Sequence, residues 1–229
     1  MFSKNEYEFR EWEKFFINRK NFPKWPNETL TRLIYGNFLR KKIKLKKNST
    51  VLDIGCGFGN NFTIFKNFKS KLYGTEVTKK SANKIKKILK NNKINADIRE
   101  GNNQNLPFKR NYFDLVMSLN VIQYERSLHD INLAFQEYSR VLKTNGDIII
   151  ITVAPKHYSY KNAIKVSKNV YSLKKWHFIK DQIFFYFDSK IYLKSVLKKH
   201  FKNIEIGISF ENLMGTELEY FLVRAKNKK

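Results

Sequence analysis

Gly55, Gly57 and Gly59 interrupt the stretch VLDIGCGFGNN, residues 51 to 61, straight after an apolar run of strand type that carries Asp53. A strand that ends in a glycine-rich turn and opens a helix presents backbone N–H groups at a helix N-terminus, and such turns accept the phosphates of dinucleotides. The spacing in this chain departs from that pattern: it reads G-x-G-x-G, and Asn60 stands where G-x-G-x-x-G requires its third glycine. A ligand other than a pyrophosphate is implied. Glu76 ends a second strand-like run 21 positions after Gly55, the distance at which a carboxylate accepts hydrogen bonds from a ribose diol. A third run leads into EGNNQNLPF, residues 100 to 108, whose Asn102 and Asn103 can hydrogen-bond an adenine edge. These features describe an adenosine.

Elements of matching type surround these residues. Phe9, Trp12 and Phe16 fall at helical spacing among charges, which predicts an amphipathic helix over residues 4 to 19. Pro26 opens a second helix, expected to run to about residue 42 with Leu30, Leu33, Ile34 and Phe38 on one face. From residue 50 onward strands are expected at 50–54, 71–76, 95–100, 112–118 and 146–154, with helices at 60–69, 79–91 and 127–142. An aromatic and basic insert follows, then a helix at 189–200 and two strands, NIEIGISF and LEYFLVRAK. Runs such as DLVMSL and DIIIITV suit strands buried on both faces of a parallel sheet. Alternating strands and helices predict a doubly wound, Rossmann-like α/β fold, whose ligands bind outside the carboxyl ends of the strands.

Taken in order, VLDIGCGFGNN, YGTEV, GNNQNLPF, NYFDLVMSLNVIQYE and EYSRVLKTNGDIIII resemble the class I S-adenosylmethionine-dependent methyltransferases, in particular the small-molecule group that includes the ubiquinone-biosynthesis C-methyltransferases. The resemblance covers roughly residues 48 to 155 in motif detail, and the last helix and two strands suit that family's seven-stranded sheet. It implies S-adenosylmethionine as cofactor, with Gly55, Cys56 and Gly57 against its methionine part, Asp53 supporting the loop and Glu76 on the ribose hydroxyls. It places Asn102 and Asn103 beside adenine, and Leu119 and Asn120 where backbone groups face the methionine amine. Two departures stand out. The family usually has aspartate at the position of Asn102, whose oxygen can still accept from the adenine amino group. Many relatives carry a histidine at the position of Tyr124, so any catalytic role of that histidine is in doubt here. The bland alternatives are glycines that only permit a tight turn, amides that are ordinary loop residues and a Cys56 that is a small filler.

The 229 residues are read as one domain: a helical cap over 1–45, a cofactor-binding core over 48–155, a lid insert over 156–187, and the last helix and strands over 188–229. The charged start lacks an apolar signal core and no segment approaches the roughly 20 apolar residues of a membrane span, so a soluble, cytoplasmic protein is expected. The lone Cys56 excludes an internal disulfide and a cysteine-built zinc site, and no metal is expected. The net charge of +25 invites nucleic acid as a partner, yet the lysines are spread over nearly every segment with abundant Asn, Ile and Phe, the pattern of an AT-rich coding bias.

A methyl on a sulfonium is already activated, so alignment is the main task of such an enzyme; it can supply ~7–11 kcal/mol, whereas a general base adds about 10²–10⁴-fold. His157 or Tyr158 is the candidate base for an O-methyl acceptor, with His177 a further candidate and His129 and His200 read as structural. The acceptor is expected to be a small, anionic molecule such as a sugar or surface-glycan precursor. Tyr7, Trp12, Phe22 and Trp25, with Lys161, Lys165, Lys168, Lys174 and Lys175 of the insert, would select it. Two alternatives stay open. One is an RNA methyltransferase, although SLNV replaces the NPPY-type signature; the other is a non-catalytic binding module.

Overall fold

The computed structural model describes residues 4–19, 24–173 and 182–228. Its main sheet has seven strands: β1 (Thr50–Ile54), β2 (Lys71–Glu76), β3 (Ala96–Glu100), β4 (Phe113–Leu119), β5 (Leu142–Val153), β9 (Phe201–Leu213) and β10 (Thr216–Asn227). They lie in the order β3-β2-β1-β4-β5-β10-β9. The first five are parallel, whereas β10 pairs antiparallel with both β5 and β9. The direction of winding reverses between β1 and β4, which opens a crevice at their carboxyl ends.

Helices cover both faces. On one lie α1 (Lys4–Asn18), α2 (Glu28–Tyr35) and α3 (Lys79–Asn91), joined to the sheet through Phe16, Leu30, Phe62, Ile85 and Ile149. On the other lie α4 (Leu128–Val141) and α5 (Lys190–Leu197), through Ile131, Phe135, Leu193, Ile148 and Phe221. Ile148, Ile149 and Ile150 are all fully buried, as a strand covered on both faces requires. The helix starts follow local chemistry: Thr78 caps α3 by accepting from Ser81 N at 3.2 Å, and Ser127 caps α4 by accepting from Asp130 N at 3.1 Å.

Several boundaries differ from the sequence expectation. The second helix stops at Tyr35 rather than near residue 42, with Gly36 as its cap. Residues 60–69 do not form an α-helix; a 3-10 turn covers Asn60–Phe65. Its short polar side chains bond elsewhere: Thr63 Oγ1 donates back to Asn60 O at 2.8 Å, and Asn61 Nδ2 donates to Asp53 at 3.1 Å. The three-residue repeat also buries Phe62 and Phe65 together. Within the insert, β6 (Ala163–Ser167), β7 (Val170–Leu173) and β8 (Gln182–Phe185) form a separate antiparallel sheet. The last strands are longer than expected and make one hairpin, turning at Met214 and Gly215.

Candidate active site

The glycine turn is held by its main-chain N–H groups, which donate to main-chain and side-chain oxygens at the end of β2. Cys56 N donates to Thr75 O at 3.0 Å, Gly55 N to Thr75 Oγ1 at 3.3 Å, and Gly57 N to the Glu76 carboxylate at 2.7 Å. Gly55, Gly57 and Gly59 all have positive φ, at 59°, 56° and 75°. A Cβ on Gly55 would meet Val121 Cγ2 at 2.8 Å, so both conformation and space require glycine there. Asp53 is buried behind the turn, and its partner Asn61 also accepts from Asn27 N at 3.0 Å, which ties the start of α2 to the end of β1. Burial pushes the Asp53 carboxyl up to about 7. Burial also drives Glu76 up to about 8, against the lowering effect of the Gly57 and Val77 N–H groups. Cys56 is buried, and loss of water with the nearby Glu76 and Asp53 charges raises its thiol well above the ordinary range.

The opposite wall is built from side chains. Asn102 Oδ1 accepts from Gln104 N at 2.9 Å and its main chain pairs with Asn105, making a tight turn. One of that oxygen's two acceptor positions is therefore used within the loop. Asn103 is buried, with its amide nitrogen on Glu125 at 2.6 Å and its oxygen on the Tyr138 hydroxyl at 2.6 Å. Its side chain is committed to the protein. Leu119 ends β4, and Asn120 follows in the left-handed region at φ 56°, donating its N–H to Ile151 O at 2.8 Å. Asn120 Oδ1 is buried without a hydrogen-bond partner. Thr75, Glu125, Gln104 and Tyr138 are not singled out by the sequence reading, although each lies within one of the quoted motifs.

Of these groups Gly55, Thr75, Asn102, Asn103, Gln104 and Glu125 line a cleft of about 150 Å³ together with Phe9, Trp12, Val121 and Tyr124, whereas Asp53, Cys56, Gly57, Glu76, Leu119 and Asn120 are not among its lining residues. A larger groove of about 770 Å³ lies at the far sheet edge among α2, α5 and β9, but it holds none of the glycine-turn groups. α1 closes the cleft from above. Trp12 meets Tyr124 edge-on at 5.2 Å, Phe16 meets Phe58 at 5.2 Å, and Glu8 forms an ion pair with Arg126. Lys84 secures the other end of α1 by donating to Phe16 O and Ile17 O at 2.6 and 2.8 Å. The insert reaches the same end of the sheet through Phe184, whose ring lies 5.1 Å from Tyr124.

The candidate bases are not among the residues lining the cleft. His157 is buried with both ring nitrogens engaged, Nδ1 with Ser159 Oγ at 2.7 Å and Nε2 with the Tyr220 hydroxyl at 3.1 Å, and burial lowers it to about 4. Tyr158 is partly buried, and that burial raises its hydroxyl. Tyr7 and Trp25 are exposed, as are Lys161, Lys165 and Lys168, so of the expected selecting residues only Trp12 lines the cleft among those described. Phe22, Lys174, Lys175 and His177 lie outside the described residues. Among the described residues no cluster of ligating side chains suits a metal ion, and no helix is long and apolar enough to cross a membrane.

A switch-point crevice with a glycine turn, an acidic residue ending the second strand and an antiparallel last strand defines a Rossmann-like methyltransferase architecture. Residues 52–150 match the family described as a methyltransferase domain. The chain is 38% identical over 118 residues to an uncharacterized protein of Methanocaldococcus jannaschii, covering 51% of this chain and 46% of that one. It is 29% identical over 126 residues to the ubiquinone biosynthesis O-methyltransferase of Pelagibacter ubique, covering 55% and 51%. The N-methyltransferase NodS of Bradyrhizobium japonicum, solved with S-adenosyl-L-homocysteine, shares the fold with a TM-score of 0.57 at 12% identity, over 96% of this chain and 87% of that one. Over residues 52–150, less than half of the chain, the sequence is similar to methyltransferase domains, and the fold is one that solved methyltransferases share. The chain spans about half the length of the curated relatives named here.

Proposed function

We propose that this protein transfers a methyl group from S-adenosylmethionine to a small-molecule acceptor. The observation that carries the reading is the joining of the glycine turn to Glu76 by the 2.7 Å bond from Gly57 N, which sets a buried carboxylate beside partly buried glycines at the switch point. Asn120 Oδ1, buried and unpartnered, is an acceptor that the cofactor's ammonium group would satisfy. When bound, S-adenosylmethionine supplies a methyl group on a sulfonium, open to in-line displacement.

The work of the chain's own residues is to bind, orient and exclude water. Glu76 in its ionised form accepts from ribose hydroxyls; Gly55, Cys56 and Gly57 give the methionine part close approach to backbone; Leu119 and Asn120 border it from β4. Gly101, Asn102 and Gln104 border the base. Trp12 and Tyr124 shield the reaction from above, and the sheet of β6 to β8 narrows the mouth through Phe184. The engaged ring nitrogens and lowered basicity of His157 favour a mechanism in which alignment dominates over proton abstraction.

An oxygen acceptor is the preferred reading, in keeping with the name of the Pelagibacter relative. The cleft itself does not single out an anionic acceptor: Glu8, Glu125 and Asp130 outnumber Arg126 there, and the exposed Lys161, Lys165 and Lys168 do not line it. The test is calorimetry with S-adenosylmethionine followed by a methyl-transfer assay on phenols, carboxylic acids and nucleotide sugars. Absence of heat with folded protein at millimolar cofactor would sink the cofactor assignment; selective RNA retention with no turnover of any small acceptor would sink the acceptor class.

A further inference from the structure

We infer that Glu125 is a positioning residue for the cofactor's base, holding the wall of residues 101 to 104 in the shape that receives it; the inference rests on the methyltransferase reading above. Its two carboxylate oxygens accept from two different side-chain amides, Asn103 Nδ2 and Gln104 Nε2, each at 2.6 Å. Those partners lie 22 and 21 residues earlier in the chain, on the loop after β3, while Glu125 ends the turn after β4. One carboxylate thus joins the two loops that together make this wall of the cleft, and all three residues line it.

The rest of the wall makes that junction decisive. The loop is stiff at its tip, where Asn102 N and Asn105 N exchange bonds with the opposite carbonyls at 3.3 and 3.2 Å. Its only side-chain ties toward β4 among the described bonds of Asn103 and Gln104 are Glu125 and the Tyr138 hydroxyl, the latter 3.2 Å from Ser118 Oγ. A carboxylate is an acceptor at both oxygens, so it matches two NH₂ groups at once. Glutamine in its place turns one oxygen into a donor and sets NH₂ against NH₂. The site is nearly dry, with Glu125 at 9% and Asn103 at 8% exposure, so water cannot readily repair the mismatch. Glu125 touches the base only through the wall it holds.

The experiment compares the parent, Glu125→Gln, and the exchange variant Glu125→Gln with Gln104→Glu, which restores one acid facing amides. Calorimetry with S-adenosylmethionine is expected to show about ten- to hundredfold weaker binding for the single variant, the effect of losing a charged hydrogen bond, and recovery of most of it in the exchange variant. A second readout separates positioning from general loosening: affinity for S-adenosylhomocysteine divided by that for S-inosylhomocysteine. That ratio moves toward one in Glu125→Gln if the wall holds the base in register; equal weakening of both ligands overturns the inference. Binding within threefold of the parent, or an exchange variant as weak as the single one, also overturns it. A parent that gives no heat with any of these ligands overturns the methyltransferase reading itself, and the inference with it.

Discussion

The two walls of the cleft are made differently. The wall after β1 and β2 is mostly main chain: Cys56 N on Thr75 O, Gly57 N on Glu76, and three glycines with positive φ. The wall after β3 and β4 is mostly side chain: Glu125 on Asn103 and Gln104, Tyr138 on Asn103, and Glu8 on Arg126. The first kind of wall is specified by residue types a few positions apart, because backbone geometry at glycine is a local property. The second depends on pairs that meet only when distant loops are packed together. One is consequently rigid by construction, and the other is tunable by single substitutions.

The largest effect is expected on the main-chain wall. Gly55→Ala forces a side chain into a left-handed conformation and within 2.8 Å of Val121, so cofactor binding should become undetectable by calorimetry and the melting temperature should fall by several degrees. A variant that binds normally would show that this wall is as adaptable as the other. Next in size is Glu76→Ala, with about ten- to several-hundred-fold weaker binding and a much smaller change in stability.

The same carboxylate sets a pH dependence. Its folded value of about 8 lies above the ordinary 4.5, so the folded protein without cofactor holds an extra proton between those values and loses stability as pH rises through that window. Cofactor hydroxyls donate to the ionised form, so affinity should rise with pH and level off above about 8. Calorimetry at about pH 6 and about pH 9 checks this, and Glu76→Gln should flatten the profile. A parent profile already flat would remove Glu76 from the ribose role.

A smaller, kinetic effect is expected on the side-chain wall. The cleft of about 150 Å³ is below the roughly 300–1,000 Å³ of ligand pockets, and outward movement of α1, which covers it, is the expected route for cofactor. Glu8→Ala should speed both association and dissociation severalfold in stopped-flow fluorescence of Trp12, at a cost of about 1 kcal/mol or less in stability. Unchanged rates would mean that α1 is not the gate. The smallest response concerns Cys56: buried with its thiol raised, it should resist a thiol reagent in native protein and react only after unfolding.

The sequence by itself determined the parallel core, because runs such as DIIIITV can be satisfied only between two covered faces, and it determined the glycine turn and the carboxylate 21 residues beyond it. It did not determine that residues 60–65 would tighten into a 3-10 turn, in which the Asn61 amide donates to Asp53 and accepts from Asn27 N, a residue 34 positions away. Nor could it show that His157 would be locked between Ser159 and Tyr220, the latter 63 residues away. Tertiary structure alone decided the partners of Asn103, Gln104 and Arg126, because a side-chain bond between remote loops leaves no periodicity in the chain: each partner is an ordinary polar residue until packing removes water from around both.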